Sequence, residues 1–198
     1  MSDRVTVLET LRSPVARRIN FSFVAGNGMR ITVNQTTFER VAAAIERGGG
    51  VRGGIGLIVR TTMPDPNAGA MYFPQEDRTI NPPIPANTII VNPINGPRQQ
   101  GQLIHEAVHA SFDLTLTRLP SVDNEAAAYI AIALYWQMMG VRSRNPNSPL
   151  AVNAFAAAAS VLRTGRVDMA VLTLLRNTIV SLPPYNRAGM KNCYVSDG

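Results

Sequence analysis

The chain has two histidines, and they stand four residues apart in Leu103-Ile104-His105-Glu106-Ala107-Val108-His109-Ala110. Residues i and i+4 of a helix project from one face, so both imidazoles can reach one ion. Glu106 lies about 100° around the axis from His105. That is too far round for a natural third ligand, but close enough to touch a water at the ion. The H-E-x-x-H pattern suits zinc, which lowers the pKa of a bound water to about 7 so that a neighbouring carboxylate can take its proton. Ala107, Val108 and the flanking Leu103, Ile104, Ala110 and Ser111 are uncharged, and no proline interrupts the stretch. The competing reading is a pair of histidines that cap or hydrogen-bond in a core without metal.

Catalytic zinc takes a third protein ligand. No other histidine exists, and the lone cysteine, Cys193, is near the C-terminus, so the ligand falls to Asp or Glu. Downstream choices are Asp113, Asp123 and Glu125. Asp113 follows His109 by four residues on the same face, a turn beyond the ion, which suits a supporting or surface role. Glu125 opens the next helix, where the macrodipole favours the ionised carboxyl. The small residues Ala126 to Ala128 permit that helix to pack closely. Asp123 can cap the same helix or hydrogen-bond a ligand histidine.

HEAVH followed by a helix carrying Asn124-Glu125 resembles the zincin metallopeptidases, specifically their gluzincin-like branch, over residues 88 to 135. The resemblance implies that His105, His109 and Glu125 hold Zn2+, and that Glu106 activates the water and later delivers its proton to the leaving amine. It also implies a rim strand before the active-site helix, running antiparallel to a peptide or protein substrate. Residues 87–92 are the natural choice, with 54–60 the alternative. The departures are specific. Tyr129 stands where the thermolysin-type motif has an aspartate, so support for the ligands must come from elsewhere, such as Asp123 or Asp113. The third histidine of metzincins, the upstream cysteine ligand of peptide deformylases and the GTxD of aspzincins are absent. The chain is short for a two-lobed peptidase and resembles a minimal zincin. An oxyanion-stabilising donor could come from Tyr129, Tyr135, Tyr72, Tyr185 or an arginine. Tyr129 shares a helix face with Glu125, although packing is the commoner role for such an aromatic.

The elements that must position these residues form an α+β pattern: a small N-terminal mixed or antiparallel sheet with a helix, then a helical C-terminal half carrying the active-site helix. Residues 20–25 and 29–34 alternate and flank Gly26-Asn27-Gly28, which predicts a hairpin. Thr36-x-x-Glu39 reads as a capping box opening a helix that Gly48-Gly49-Gly50 ends. Residues 54–60 and 87–92 read as strands. Residues 61–86, rich in Pro, Asn, Asp and Gly, read as a long connection, with Met71, Tyr72 and Phe73 as its anchor rather than a cleft lining. Helices follow over 99–113, 121–139, 149–163 and 167–181. The pattern predicts one zincin-like catalytic domain over 1–184 and a loose tail over 185–198.

Composition bounds the rest. The 198 residues carry 45% hydrophobic and 16% charged side chains, enough for a core without disulfides or a structural metal. The net charge is +6, and every basic residue but Lys191 is arginine. These arginines are scattered and lack aromatic interleaving, so a nucleic-acid partner has no motif behind it. No apolar stretch reaches membrane-spanning length, and the N-terminus has no signal-peptide core. The default location is cytoplasmic, with signal-independent export compatible. The readings that compete with a peptidase are an inactive zincin-fold binding or regulatory module and, with less behind it, a basic nucleic-acid-binding domain.

Overall fold

The computed structural model describes residues 3–182 except 67, 144 and 146. The tail over 185–198, with Tyr185 and Cys193, lies outside the described residues. The architecture is α+β, with two small sheets and a helical second half.

Two helices that the hydrophobic pattern does not announce come first. In α1 (Asp3–Leu11), Val7, Thr10 and Leu11 are buried while Val5 is exposed, so the helix has no broad apolar face. In α2 (Pro14–Arg18), Pro14 takes the first turn and the Ser13 hydroxyl accepts the Ala16 N–H at 3.1 Å. The predicted hairpin forms from β1 (Phe21–Val24) and β2 (Arg30–Val33), with Phe21 opposite Val33 and Val24 opposite Arg30. Phe21, Phe23, Ile31 and Val33 face inward.

Helix α3 (Gln35–Arg47) starts with a different cap from the predicted Thr36–Glu39 box. The Asn34 side chain accepts the Thr36 N–H at 2.9 Å, and the Thr37 hydroxyl accepts the Asn34 N–H at 3.1 Å. Glu39 instead faces Arg12 at 3.2 Å and Arg17 at 3.6 Å.

A second sheet contains β3 (Gly56–Val59), β4 (Ala70–Phe73) and β5 (Thr88–Val91) in the order β3-β5-β4. Strand β5 is central and fully buried, parallel to β3 and antiparallel to β4. Two expectations are corrected here. Residues 61–86 are not one connection, because they contain β4, a short apolar run whose Gly and Pro flanks dominate the composition. The strand at 87–92 is not the rim. It carries four consecutive apolar or β-branched residues that only a central position buries on both faces. Alternate β4 side chains part to opposite sides. Tyr72 packs on the main core, while Met71 and Phe73 join Met63, Ile84 and Ile90 on the far face.

The second half is α4 (Pro97–Leu114), α5 (Ser121–Met138), α6 (Pro149–Thr164) and α7 (Met169–Ser181). Helix α5 is apolar on nearly every side and packs against α4, α6 and α7. Its Ala126, Ala127 and Ala128 are fully buried. The α4–α5 approach is close enough that a Cβ on Gly101 would lie 2.1 Å from the Trp136 indole nitrogen. Glycine is therefore required there despite its cost within a helix. One buried cluster runs from Val7 to Ile179 and draws on both halves of the chain. Among the described residues, no helix is long and apolar enough to cross a membrane.

Candidate metal centre

Helix α4 presents His105, Glu106 and His109, and the first turns of α5 present Asn124, Glu125 and Tyr129 on the opposing side. The two Nε2 atoms lie 3.1 Å apart. Glu125 reaches both, with Oε2 3.6 Å from His105 Nε2 and Oε1 3.6 Å from His109 Nε2. The three side chains are 12–15% exposed, so the site is sheltered and still reachable.

The geometry suits a four-coordinate ion. Ligands about 2.0–2.1 Å from zinc at tetrahedral angles lie about 3.3 Å from one another; with one donor atom each these three lie within 4.8 Å, so an ion would draw them slightly together. The hydrogen bonding points the same way. His109 Nδ1 faces the Asn124 carboxamide oxygen at 2.9 Å, an acceptor that in the neutral ring favours the hydrogen on Nδ1 and turns the Nε2 lone pair inward. His105 hydrogen-bonds the backbone at Ala128. Its Nε2 faces the site, which leaves Nδ1 for that bond. Two imidazole nitrogens and a carboxylate thus converge, and with both rings neutral they form a donor set that a cation satisfies.

Electrostatics separates the acids and bases. Burial pushes the Glu106 carboxyl up to about 7; Glu125 adds to this, while His109 and the Tyr72 amide oppose it. Burial and then His109 depress His105. Burial also opposes charge on His109, but Glu125, Glu106 and Asn124 together outweigh it and leave that ring raised. The Tyr129 phenol is held protonated by burial and by the carboxylates of Glu125 and Glu106, and its ring meets His105 edge-on at 4.8 Å.

Glu106 lies outside the trio, as its angular offset on the helix predicts, and its Oε2 accepts the Tyr72 backbone N–H at 2.9 Å. The Gly69 carbonyl accepts the opposing Asn92 N–H at 2.8 Å, so alternation turns the Ala70 and Tyr72 backbone groups away from β5. The open edge of β4 therefore faces Glu106.

The other predicted residues divide. Asp113 is buried, one turn past His109, and its Oδ2 accepts the Tyr72 phenol at 2.5 Å. Asp123 neither caps α5 nor meets a histidine. Its Oδ2 accepts the Gly26 N–H at 2.8 Å and its Oδ1 accepts Arg176 Nε at 2.7 Å, tying the hairpin turn to α5 and α7. The histidine contact considered for Asp123 belongs to its neighbour, Asn124. Tyr135 points elsewhere and donates to Gln100 Oε1 at 3.0 Å.

Two contacts escape the sequence reading: Asn124 to His109, and the backbone of Tyr72, read there as a loop anchor or an oxyanion donor, to Glu106. Asn124 adjoins Glu125 and is in plain view, but only the α4–α5 packing shows which of 123 and 124 faces the histidine. The signal for Tyr72 is the short apolar run Ala70–Phe73 between Gly69 and Pro74. No protein-family model matches the chain, and neither the curated proteins nor the solved structures contain a match.

Proposed function

We propose that the chain is a zinc-dependent hydrolase of peptide bonds, with His105, His109 and Glu125 as ligands and Glu106 as general base. The observation that carries the reading is the convergence of two imidazole nitrogens and one carboxylate within 4.8 Å, with a second, separately held carboxylate beside them. When bound, the ion supplies Lewis acidity, polarising a carbonyl and making a water more acidic.

The chain's own residues do the rest. Glu106 takes a proton from the water whose oxygen adds to the peptide carbonyl carbon. It then passes that proton to the departing nitrogen as the C–N bond breaks. Glu106, buried beside the three ligands with one oxygen held by the Tyr72 amide, is placed for both transfers. Tyr129, protonated and with its ring against His105, is the tyrosine of α5 available as a donor for developing negative charge.

The test is zinc content after equilibration and dialysis, with fluorogenic casein hydrolysis in parallel. One zinc per chain, much less in Glu125→Ala, and hydrolysis lost in Glu106→Gln with its zinc retained are the expected results. Retained zinc without hydrolysis in the wild type would reduce the reading to a metal-binding module. No retained zinc would overturn it.

A further inference from the structure

Tyr72 meets α4 twice. Its backbone N–H donates to Glu106 Oε2 at 2.9 Å, and its phenol donates to Asp113 Oδ2 at 2.5 Å. Glu106 and Asp113 are seven residues apart, about 10 Å along the helix. One residue of β4 therefore spans two turns of α4.

A phenol carries one hydrogen, and the short contact to the carboxylate takes it. The Asn87 amide lies 3.0 Å from the same phenol oxygen. Its Oδ1 is the atom that faces the phenol, a second and longer acceptor contact for the one hydrogen. Asn87 stands at φ 52°, a left-handed conformation that asparagine tolerates, and its carbonyl accepts the Gly56 N–H at 2.8 Å. The phenol is thus fastened to α4, with Asn87 beside it where the chain enters the central strand. Strand β4 has four residues and only β5 beside it in the sheet, and a strand that short holds its place weakly by itself.

We propose that Tyr72, locked by Asp113, is the positioning residue for Glu106. The phenol holds β4 against α4 so that the Tyr72 amide fixes one carboxylate oxygen and leaves the other for the proton. The kinetic half of this inference rests on the hydrolytic reading above; the structural half does not.

The experiment uses the full chain, zinc-loaded, as wild type, Tyr72→Phe, Asp113→Ala and Asp113→Asn. Residue-resolved hydrogen exchange reads the Tyr72 amide, and fluorogenic casein gives kcat and KM. Loss of a hydrogen bond to a charged group predicts about 10–100-fold faster exchange at that amide in Tyr72→Phe and Asp113→Ala. A similar fall in kcat is expected, with KM and zinc content near wild type. Asp113→Asn keeps an acceptor for the phenol and should recover most of both effects. If Asp113→Ala fails to fold, Tyr72→Phe, which removes one oxygen, carries the test. Unchanged exchange at Tyr72 overturns the proposal, and so does a loss confined to KM or zinc content. If the wild type holds zinc but hydrolyses nothing, the hydrolytic reading falls while the exchange result still decides the positioning role.

Discussion

Removing the Asn124 carboxamide should weaken zinc binding without removing a ligand. Asn124 is 2% exposed and its oxygen sits 2.9 Å from His109 Nδ1. Accepting that hydrogen keeps the ring in the tautomer whose Nε2 lone pair faces Glu125 and His105. In Asn124→Ala the ring is free to carry its hydrogen on Nε2, where the ion would sit. Losing such a partner costs about 10–100-fold in metal affinity, or about 1.4–2.7 kcal/mol at 1.36 kcal/mol per decade. The hydrogen bond itself accounts for about 0.5–1.5 kcal/mol, and ring orientation and tautomer supply the remainder. Competition with a chromophoric zinc chelator near neutral pH measures the change. Thermal unfolding of the metal-free variant separates the cost of the cavity. Asn124→Asp keeps the acceptor and adds charge, so it should bind as tightly as wild type or more so. A folded Asn124→Ala with zinc affinity within about twofold of wild type would refute the reasoning.

Three further outcomes follow from the same structure. Asp123→Ala removes the acceptor of the Gly26 N–H and of Arg176 Nε, leaving Arg176 its bond to the Val24 carbonyl. Because the Arg176 side chain is 20% exposed, the cost should be about 2–3 kcal/mol in urea unfolding, with zinc content unchanged. Gly101→Ala gains helix propensity but drives a methyl into Trp136. A net loss of about 1–2 kcal/mol is expected, with altered fluorescence from Trp136, the single tryptophan. Free zinc at about one hundred times its Kd should stabilise the fold by about 2.7 kcal/mol. That corresponds to a rise in Tm of about 5–10 °C, abolished by a chelator and absent in His105→Ala.

The elements legible in the sequence are those whose pattern is set locally. The hairpin around Gly26-Asn27-Gly28 and the helices α4 to α7 carry a strong turn signal or long apolar runs, and they fall within a few residues of their predicted bounds. The elements that escaped are short or depend on context. Helix α1 buries too narrow a side to show periodicity, and β4 has four residues among turn formers. The start of α3 was displaced because Asn34, Thr36 and Thr37 all qualify as caps, and only the backbone path selects among them.

The site divides along the same line. The sequence by itself determined that His105 and His109 share a helix face with Glu106 offset, because the 3.6-residue repeat is a property of the backbone. It also narrowed the third ligand to a few carboxylates by leaving no other histidine. Tertiary structure decided which carboxylate converges. The close α4–α5 contact, made possible by Gly101 and the alanines of α5, turns Glu125 and Asn124 toward the histidines and Asp123 toward Arg176. Tertiary structure also decided that the edge strand beside Glu106 is β4. Strand order follows from which apolar faces can be buried together, and residues 70 to 113 meet there only because α4 and β4 pack side by side.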